Sequence, residues 1–365
     1  MLTDGPVAVV GAGSIGVAWA VVVARAGRPV VLHDPDPARL AAVPGEVRTR
    51  LEALTAHGLL GEPVATVAGR VRTAPTLADA LGGAVHVQEC APEQLGLKQQ
   101  LFAQLDELAE EEVVLASSSS ALTCSTIAGG LPGRGRCLVV HPGNPPYLLP
   151  VAEVVPAPFT SAGTVARTRR LLEELGMTPV HVAVEVEGFV FNRLQGALLR
   201  EAYALVRDGV VSVADVDRVV RDGLGRRWSV IGPFATAELN TRGGIEAHAE
   251  RMGEAYARMG AERGQRDRWE PELVHRVADE LHGFLPPERW EENVARRDAA
   301  LMALERARRA VDLPGADRTG PAGTTGECSL CDQHDRLTNT SAVRLAGATA
   351  GATRRSPVPD AGGDP

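Results

Sequence analysis

Aromatic residues are scarce in this 365-residue sequence: six Phe, four Trp and three Tyr make up 4% of it. Any core must therefore rest on aliphatic side chains. Cysteine is also sparse, with five residues. Cys90, Cys124 and Cys137 are widely spaced among apolar neighbours, which reads as reduced thiols rather than a disulfide framework and points to the cytoplasm. Long hydrophobic runs are missing. The longest, Val17–Ala24, falls well short of the roughly 20 residues a membrane helix needs. Nothing beside Met1 has the basic and apolar segments of a signal peptide. Excess positive charge is missing too. A formal net charge of -8 argues against nucleic acid or an anionic membrane as partner. The expectation is a cytoplasmic protein that acts on small molecules.

What is present is a change of pattern along the chain. Val7–Val10, Pro29–His33, Val85–Glu89, Val113–Ala116, Cys137–His141 and Val151–Val155 are short apolar runs. Helical periodicity lies between several of them, as in Ser14–Ala26 and Leu97–Ala109. Strands alternating with helices imply a parallel sheet covered on both faces. From Phe189 to Arg309 only helical periodicity remains. Helices are expected at Phe189–Arg207, Val213–Arg221 and Trp290–Ala310, with a break at Gly232-Pro233. After Val311 no Phe, Trp or Tyr occurs, and such a segment cannot bury enough apolar surface to offset its ordering entropy. The reading is α/β: a doubly wound Rossmann-type N-terminal domain over 1–187, an all-α C-terminal domain over 188–311, and a disordered tail over 312–365.

Gly11-Ala12-Gly13-Ser14-Ile15-Gly16 is a G-x-G-x-x-G motif that follows a strand and opens a helix, the context that gives this motif meaning. Gly11 permits the tight turn, Gly13 lets backbone approach a pyrophosphate, and Gly16 permits close packing of helix on strand. The amides of Ser14 and Ile15 lie at the helix N-terminus, which attracts phosphate. Asp34 ends the second strand, 18 residues beyond Gly16. A carboxylate there accepts hydrogen bonds from ribose hydroxyls and repels a 2′-phosphate, so NAD is expected rather than NADP. FAD uses the same fingerprint, but nothing later in the chain favours it.

Oxidising an alcohol by hydride removal requires a base for the hydroxyl proton, and histidine titrates in the right range. His33, His57, His86, His181, His248, His275 and His282 sit in strands or on polar helical faces and read as structural. His141 instead ends an apolar strand at the carboxyl edge, where open α/β sheets bind ligands. A stiff loop, Pro142-Gly143-Asn144-Pro145-Pro146-Tyr147, follows it. Glu153 stands on the next apolar strand, within reach if that loop folds back, and would fix the imidazole tautomer.

These residues, with Val87-Gln88-Glu89, Leu97-Lys98, Ser117–Ser120, Gly188–Leu194 and Gly232-Pro233, make the chain resemble the 3-hydroxyacyl-CoA dehydrogenase superfamily. It is most similar to the branch containing lambda-crystallin, an L-gulonate 3-dehydrogenase. The likeness runs from about Val7 to about Arg309. It implies His141 as general base with Glu153, and Ser120 and Asn192 on the substrate oxygen. It also implies Glu89 and Lys98 beside the nicotinamide ribose and Ser118 beside the nicotinamide. Asn144, in the loop after His141, is a further candidate for the substrate pocket. Family members are usually homodimers through the helical domain.

Arg226-Arg227-Trp228 resembles an Arg-aromatic pair of lambda-crystallin and carnitine dehydrogenases. A guanidinium holds a free carboxylate through two parallel hydrogen bonds, so Arg227 is the candidate for binding a small 3-hydroxy acid. An L-gulonate-like acid is one expected substrate and an L-3-hydroxyacyl-CoA the alternative. Ala121 and Gly143 depart from relatives at the pocket's edge, which leaves the polyol preference open. A non-catalytic NAD-binding structural protein is the reading from another class. Cys328-Ser329-Leu330-Cys331-Asp332-Gln333-His334 offers three zinc-type ligands without a core around them, so no metal is expected.

Overall fold

The computed structural model describes residues 5–56 and 59–263, then Pro271, His275, His282, residues 285–290, Glu292, Asn293, Arg296 and Ala307. Most of the expected helix Trp290–Ala310 lies outside the described residues, as do His57 and the tail with Cys328 and Cys331.

The elements run β1 (Val7–Val10), α1 (Ser14–Arg25), β2 (Val30–His33), α2 (Pro37–Ala56), α3 (Val64–Ala68), β3 (Val71–Ala74), α4 (Leu77–Leu81), β4 (His86–Glu89), α5 (Leu95–Leu108), β5 (Val114–Ser117), α6 (Cys124–Ala128), β6 (Cys137–Pro142), β7 (Val151–Pro156), α7 (Ala162–Glu174) and β8 (Thr178–His181). Helices follow: α8 (Phe191–Arg207), α9 (Val213–Arg218), a π-helical stretch Val219–Leu224, α10 (Gly225–Trp228), α11 (Pro233–Asn240) and α12 (Gly244–Glu262). The strands form one sheet in the order β3-β2-β1-β4-β5-β6-β7-β8. All described pairings are parallel except β6 with β7.

Alternation along the strands builds a core on each face. Val7 and Val9 pack with Trp19 of α1, Val47 and Leu51 of α2 and Leu172 of α7. Ala8 and Val10 face the other way and pack with Phe102 and Leu105 of α5 and Ile127 of α6. Because β1 is buried on both faces, it reads as an unbroken apolar run, as central parallel strands do.

The pairing sets the site's edge level. Val10 lies opposite His33 and Glu89, and Glu89 opposite Ser117. Gly11, Asp34, Cys90 and Ser118 therefore leave the sheet along one carboxyl edge. The strand order reverses between β1 and β4, where doubly wound sheets open a ligand crevice.

Three expectations shift. β3 and β8 are extra strands that no apolar run marks; they are short, and β3 is mostly exposed. Helix α8 starts at Phe191, not at Phe189, because Gly188 (φ 75°) and Phe189 (φ 47°) both take the left-handed conformation. Likewise α9 stops at Arg218, where the π-helical stretch takes over. No helix among the described residues is long and apolar enough to cross a membrane.

Candidate active site

The turn after β1 shows why its glycines are needed. Gly11 has φ 105°, and a Cβ there would stand 2.8 Å from the Cys90 carbonyl carbon. A Cβ on Gly16 would strike the Gly11 carbonyl oxygen at 1.8 Å, so α1 can lie this close to β1 only without a side chain. Gly13 caps α1 and opens onto free space, with no atom within 4 Å of a Cβ built there. That opening, in front of the first free N–H groups of Ser14 and Ile15, fits a pyrophosphate. Asp34 accepts the Ala12 N–H at 2.8 Å through one oxygen and the Asp36 N–H at 2.9 Å through the other. Its carboxylate is thus held beside the glycine turn, where it fits an adenosine ribose.

His141 and Glu153 are direct partners across the antiparallel pair β6–β7. Facing residues of one antiparallel ladder project to the same side, and His141 Nδ1 lies 2.7 Å from Glu153 Oε2. A carboxylate only accepts, so Nδ1 carries the proton and Nε2 keeps a lone pair. Glu153 Oε1 receives two further N–H groups, from Val190 at 2.7 Å and Phe191 at 2.9 Å. The left-handed turn at Gly188-Phe189 aims those amides. Burial pushes the Glu153 carboxyl up, yet the His141 hydrogen bond and the two amides outweigh it and hold the group below the usual carboxylate value. The imidazole is 6% exposed, with Phe189 and Phe191 ring centroids 5.7 and 6.2 Å away. An oriented, charge-backed imidazole in apolar walls can take a proton from an alcohol.

Glu89 and Lys98 form a buried pair in the wall of the crevice. Lys98 Nζ donates to Glu89 Oε1 at 2.8 Å, to Oε2 at 3.0 Å and to the Ala91 carbonyl at 3.1 Å. Glu89 also receives the Ser117 hydroxyl at 2.5 Å and the Ala91 N–H at 2.6 Å. Lys98 is only 1% exposed, which rules out a solvated helix position for it.

The acid that reaches the surface here is Glu93, whose side chain is 39% exposed. Sequence reading passed over it. Its Oε1 accepts the Ser119 hydroxyl at 2.5 Å and the N–H groups of Ser120, Ala121 and Leu122 at 3.1, 3.1 and 3.2 Å. One carboxylate oxygen therefore organises the serine loop. Burial pushes its carboxyl up, while Ser119, the Leu122 and Ala121 amides and the Lys98 charge bring the net value below normal. The available signal was an acid just past a strand end at the ligand edge, five residues before Lys98.

Ser120 is exposed, and its carbonyl accepts the Asn192 amide N–H at 3.0 Å. This bond ties the start of α8 to the serine loop, so Ser120, Asn192, His141 and Glu153 come together through the turn at Gly188. Ser118 Oγ meets Gln88 Nε2 at 2.7 Å and Trp19 Nε1 at 3.2 Å. Asn144 is exposed after β6, at a cis Asn144–Pro145 bond. A Cβ on Gly143 would lie 3.0 Å from Leu149 Cβ, so the loop is tight there. Arg227 is half-buried on α10, with no partner for its guanidinium among the described residues. The described residues hold no group of three or more His, Cys, Asp or Glu arranged for a metal.

Comparison with known proteins adds independent findings. Residues 6–186 match the model of the 3-hydroxyacyl-CoA dehydrogenase NAD-binding domain, and residues 188–282 match that of its C-terminal domain. The chain is 38% identical to lambda-crystallin of Oryctolagus cuniculus, over 84% of this chain and 97% of that protein. It is 40% identical to the L-carnitine dehydrogenase of Pseudomonas aeruginosa, over 64% of this chain and 71% of the other. Among solved structures it resembles 5-formyl-3-hydroxy-2-methylpyridine 4-carboxylic acid 5-dehydrogenase, an NAD+-dependent dismutase. The TM-score is 0.64 at 28% identity, covering 85% of this chain and all of that one.

Proposed function

The chain belongs to the NAD-dependent 3-hydroxyacyl-CoA dehydrogenase family, and from that premise we propose that it oxidises the 3-hydroxyl of a small, L-gulonate-like 3-hydroxy carboxylic acid to the 3-keto acid. The observation that carries this reading is the His141–Glu153 pair, which leaves Nε2 free as a base.

NAD, when bound, supplies the acceptor for the substrate hydride. The work of the chain's own residues is to move one proton and hold the reacting carbon. His141 Nε2 takes the hydroxyl proton, and the ionised Glu153 stabilises the imidazolium that forms. Ser120 and Asn192, drawn together by their mutual hydrogen bond, donate to the substrate oxygen. Glu93 fixes the serine loop that carries Ser120. Asn144 borders the same pocket. The walls of Phe189 and Phe191 exclude water from the imidazole.

Arg227 is the proposed anchor for the substrate carboxylate. The free-acid reading is supported by two relatives whose names specify small molecules, L-carnitine and a pyridine carboxylic acid. The family name supports a second reading, oxidation of an L-3-hydroxyacyl-CoA. A homodimer through the helical region is also proposed, since α8 leaves Leu194, Leu199 and Tyr203 exposed.

The test is NADH absorbance with NAD and, separately, L-gulonate, L-carnitine and L-3-hydroxybutyrate, beside acetoacetyl-CoA reduction by NADH. Turnover of a free acid that vanishes in His141→Ala supports the proposal. In that case Arg227→Ala raises KM for the acid about tenfold or more while kcat changes little. Turnover of the CoA ester alone would replace the first reading with the second.

A further inference from the structure

Ser118 sits where the cofactor must pass. The dinucleotide begins at Asp34 beyond β2 and at the glycine turn beyond β1, and its reactive end must approach His141 on β6. That path crosses the edge of β4 and β5, where Ser118 follows Ser117.

The hydrogen bonds around Ser118 have only one possible polarity. Gln88 Nε2 lies 2.7 Å from Ser118 Oγ and 3.3 Å from the Val140 carbonyl oxygen. A carbonyl only accepts, so the amide nitrogen faces both groups and Oε1 turns the other way, to His86 Nε2 at 3.2 Å. His86 is buried, and desolvation pushes its pKa down to about 4, so the ring is neutral near pH 7. Since Gln88 Oε1 accepts, the single ring proton is on Nε2. The other nitrogen, Nδ1, has no partner among the described residues. His86 borders a cavity of about 10 Å³ that Trp19, Val23, Leu171, Leu172 and Leu175 also line.

Trp19 Nε1, the second neighbour of Ser118 Oγ at 3.2 Å, is a donor and nothing else. Two N–H groups thus occupy both lone pairs of the hydroxyl, and its own proton is all it can still offer. The neighbour in reach of that proton is Cys90 Sγ at 3.3 Å, a weak acceptor. A carbonyl oxygen arriving at this edge would take its place.

We propose that His86 and Gln88 are positioning residues that hold Ser118 as an obligate hydrogen-bond donor for the carboxamide oxygen of nicotinamide, so that the site selects a cofactor bearing a good oxygen acceptor there. The inference rests on NAD as cofactor and not on which acid is oxidised. It is therefore tested by binding, without substrate.

Calorimetric titration of the full chain with NAD, the 3-acetylpyridine analogue (which keeps the carbonyl) and the thionicotinamide analogue (which replaces oxygen by sulfur) reads the bond directly. The wild type should bind both oxygen-bearing cofactors about fivefold more tightly than the sulfur one, the worth of one ordinary hydrogen bond. Ser118→Ala and Gln88→Leu should bring that ratio close to one, and Ser118→Thr should restore it. Gln88→Glu supplies an acceptor that draws the serine proton inward, so NAD binding should weaken about fivefold while the sulfur analogue is little affected. Ser118→Ala changes one atom at an edge, so it keeps the test valid should the buried Gln88 variants fold poorly. A wild type indifferent to oxygen or sulfur, or a Ser118→Ala variant that keeps the preference, would overturn the proposal.

Discussion

Helix α1 buries nine of its 12 residues, and β1 beneath it buries all four. Helix α8 is five residues longer and buries only Ala204. Leu194 is 61% and Tyr203 72% exposed on it. The first region is closed on itself, with helices covering both faces of the sheet. Among the described residues, the second has a small core around Ala235 and Ile245 and turns an apolar stripe outward. Groups that need fixed geometry stand on the self-sufficient region: His141, Glu153, Glu89 and the glycine turn. The helical region adds two amides and Asn192 through one left-handed turn.

The largest expected effect attacks the chemistry of the sheet. His141→Ala should lower kcat by about 10³-fold, the usual worth of a general base, with NAD affinity unchanged by calorimetry. Glu153→Gln keeps an acceptor for the Val190 and Phe191 amides but removes the charge behind the imidazole. It should cost kcat about 10²-fold or more with only a modest fall in Tm. A collapse of Tm instead would mean that the pair serves mainly to dock the helical region.

Stability sharpens the contrast. Lys98→Met strands the Glu89 carboxylate at a buried site and should destabilise the fold by about 3–5 kcal/mol in urea denaturation. Leu194→Ala on α8 should cost less than about 0.5 kcal/mol if its side chain faces water. A cost near 3 kcal/mol would show that a partner covers it. Tyr203→Asp should convert a dimer to a monomer in light scattering, and a wild type already monomeric would remove the dimer.

A pH series adds a third measure. Below about pH 6.5 the unfolded chain takes up a proton on His86 that the folded chain refuses until about pH 4. Stability therefore falls as pH drops through that window, by about 3 kcal/mol in all, and this contribution levels off below it. In His86→Phe the share of the slope due to this residue should vanish, which the difference between the two pH profiles reads out. Glu153 and Glu93, both held below their usual value, act lower still: their stabilisation is present above the ordinary carboxylate range and is lost as pH falls from there through their lowered folded values. A modest effect falls on the joint between the regions. Gly188→Ala places a side chain at φ 75° and should cost about 1 kcal/mol, read as a Tm drop of a few degrees.

Legibility follows the range of the interactions. The glycine turn, Asp34 and the alternation of strand and helix are set by residues near one another, and all could be read from the chain. The edge strands β3 and β8 could not, because one face or more of each meets solvent and leaves no apolar run. His141 was visible at its strand end, whereas its pairing with Glu153 depended on how the loop between them turned. Glu93, Gln88 and His86 gave no local sign of their roles. The serine-loop partners of Glu93, and the Ser118 and Val140 partners of Gln88, lie 26 to 52 residues away, and His86 is set apart by its burial.

By itself, then, the sequence determined the class of fold, the dinucleotide turn and the family, because period, glycine placement and short motifs act within one strand and helix. Only the tertiary structure decided which lone pair of His141 is free, which acid reaches the crevice edge and which way the Ser118 proton points. Those depend on register across the sheet and on counting donors against acceptors in a buried space, and neither is written in any one segment of the chain.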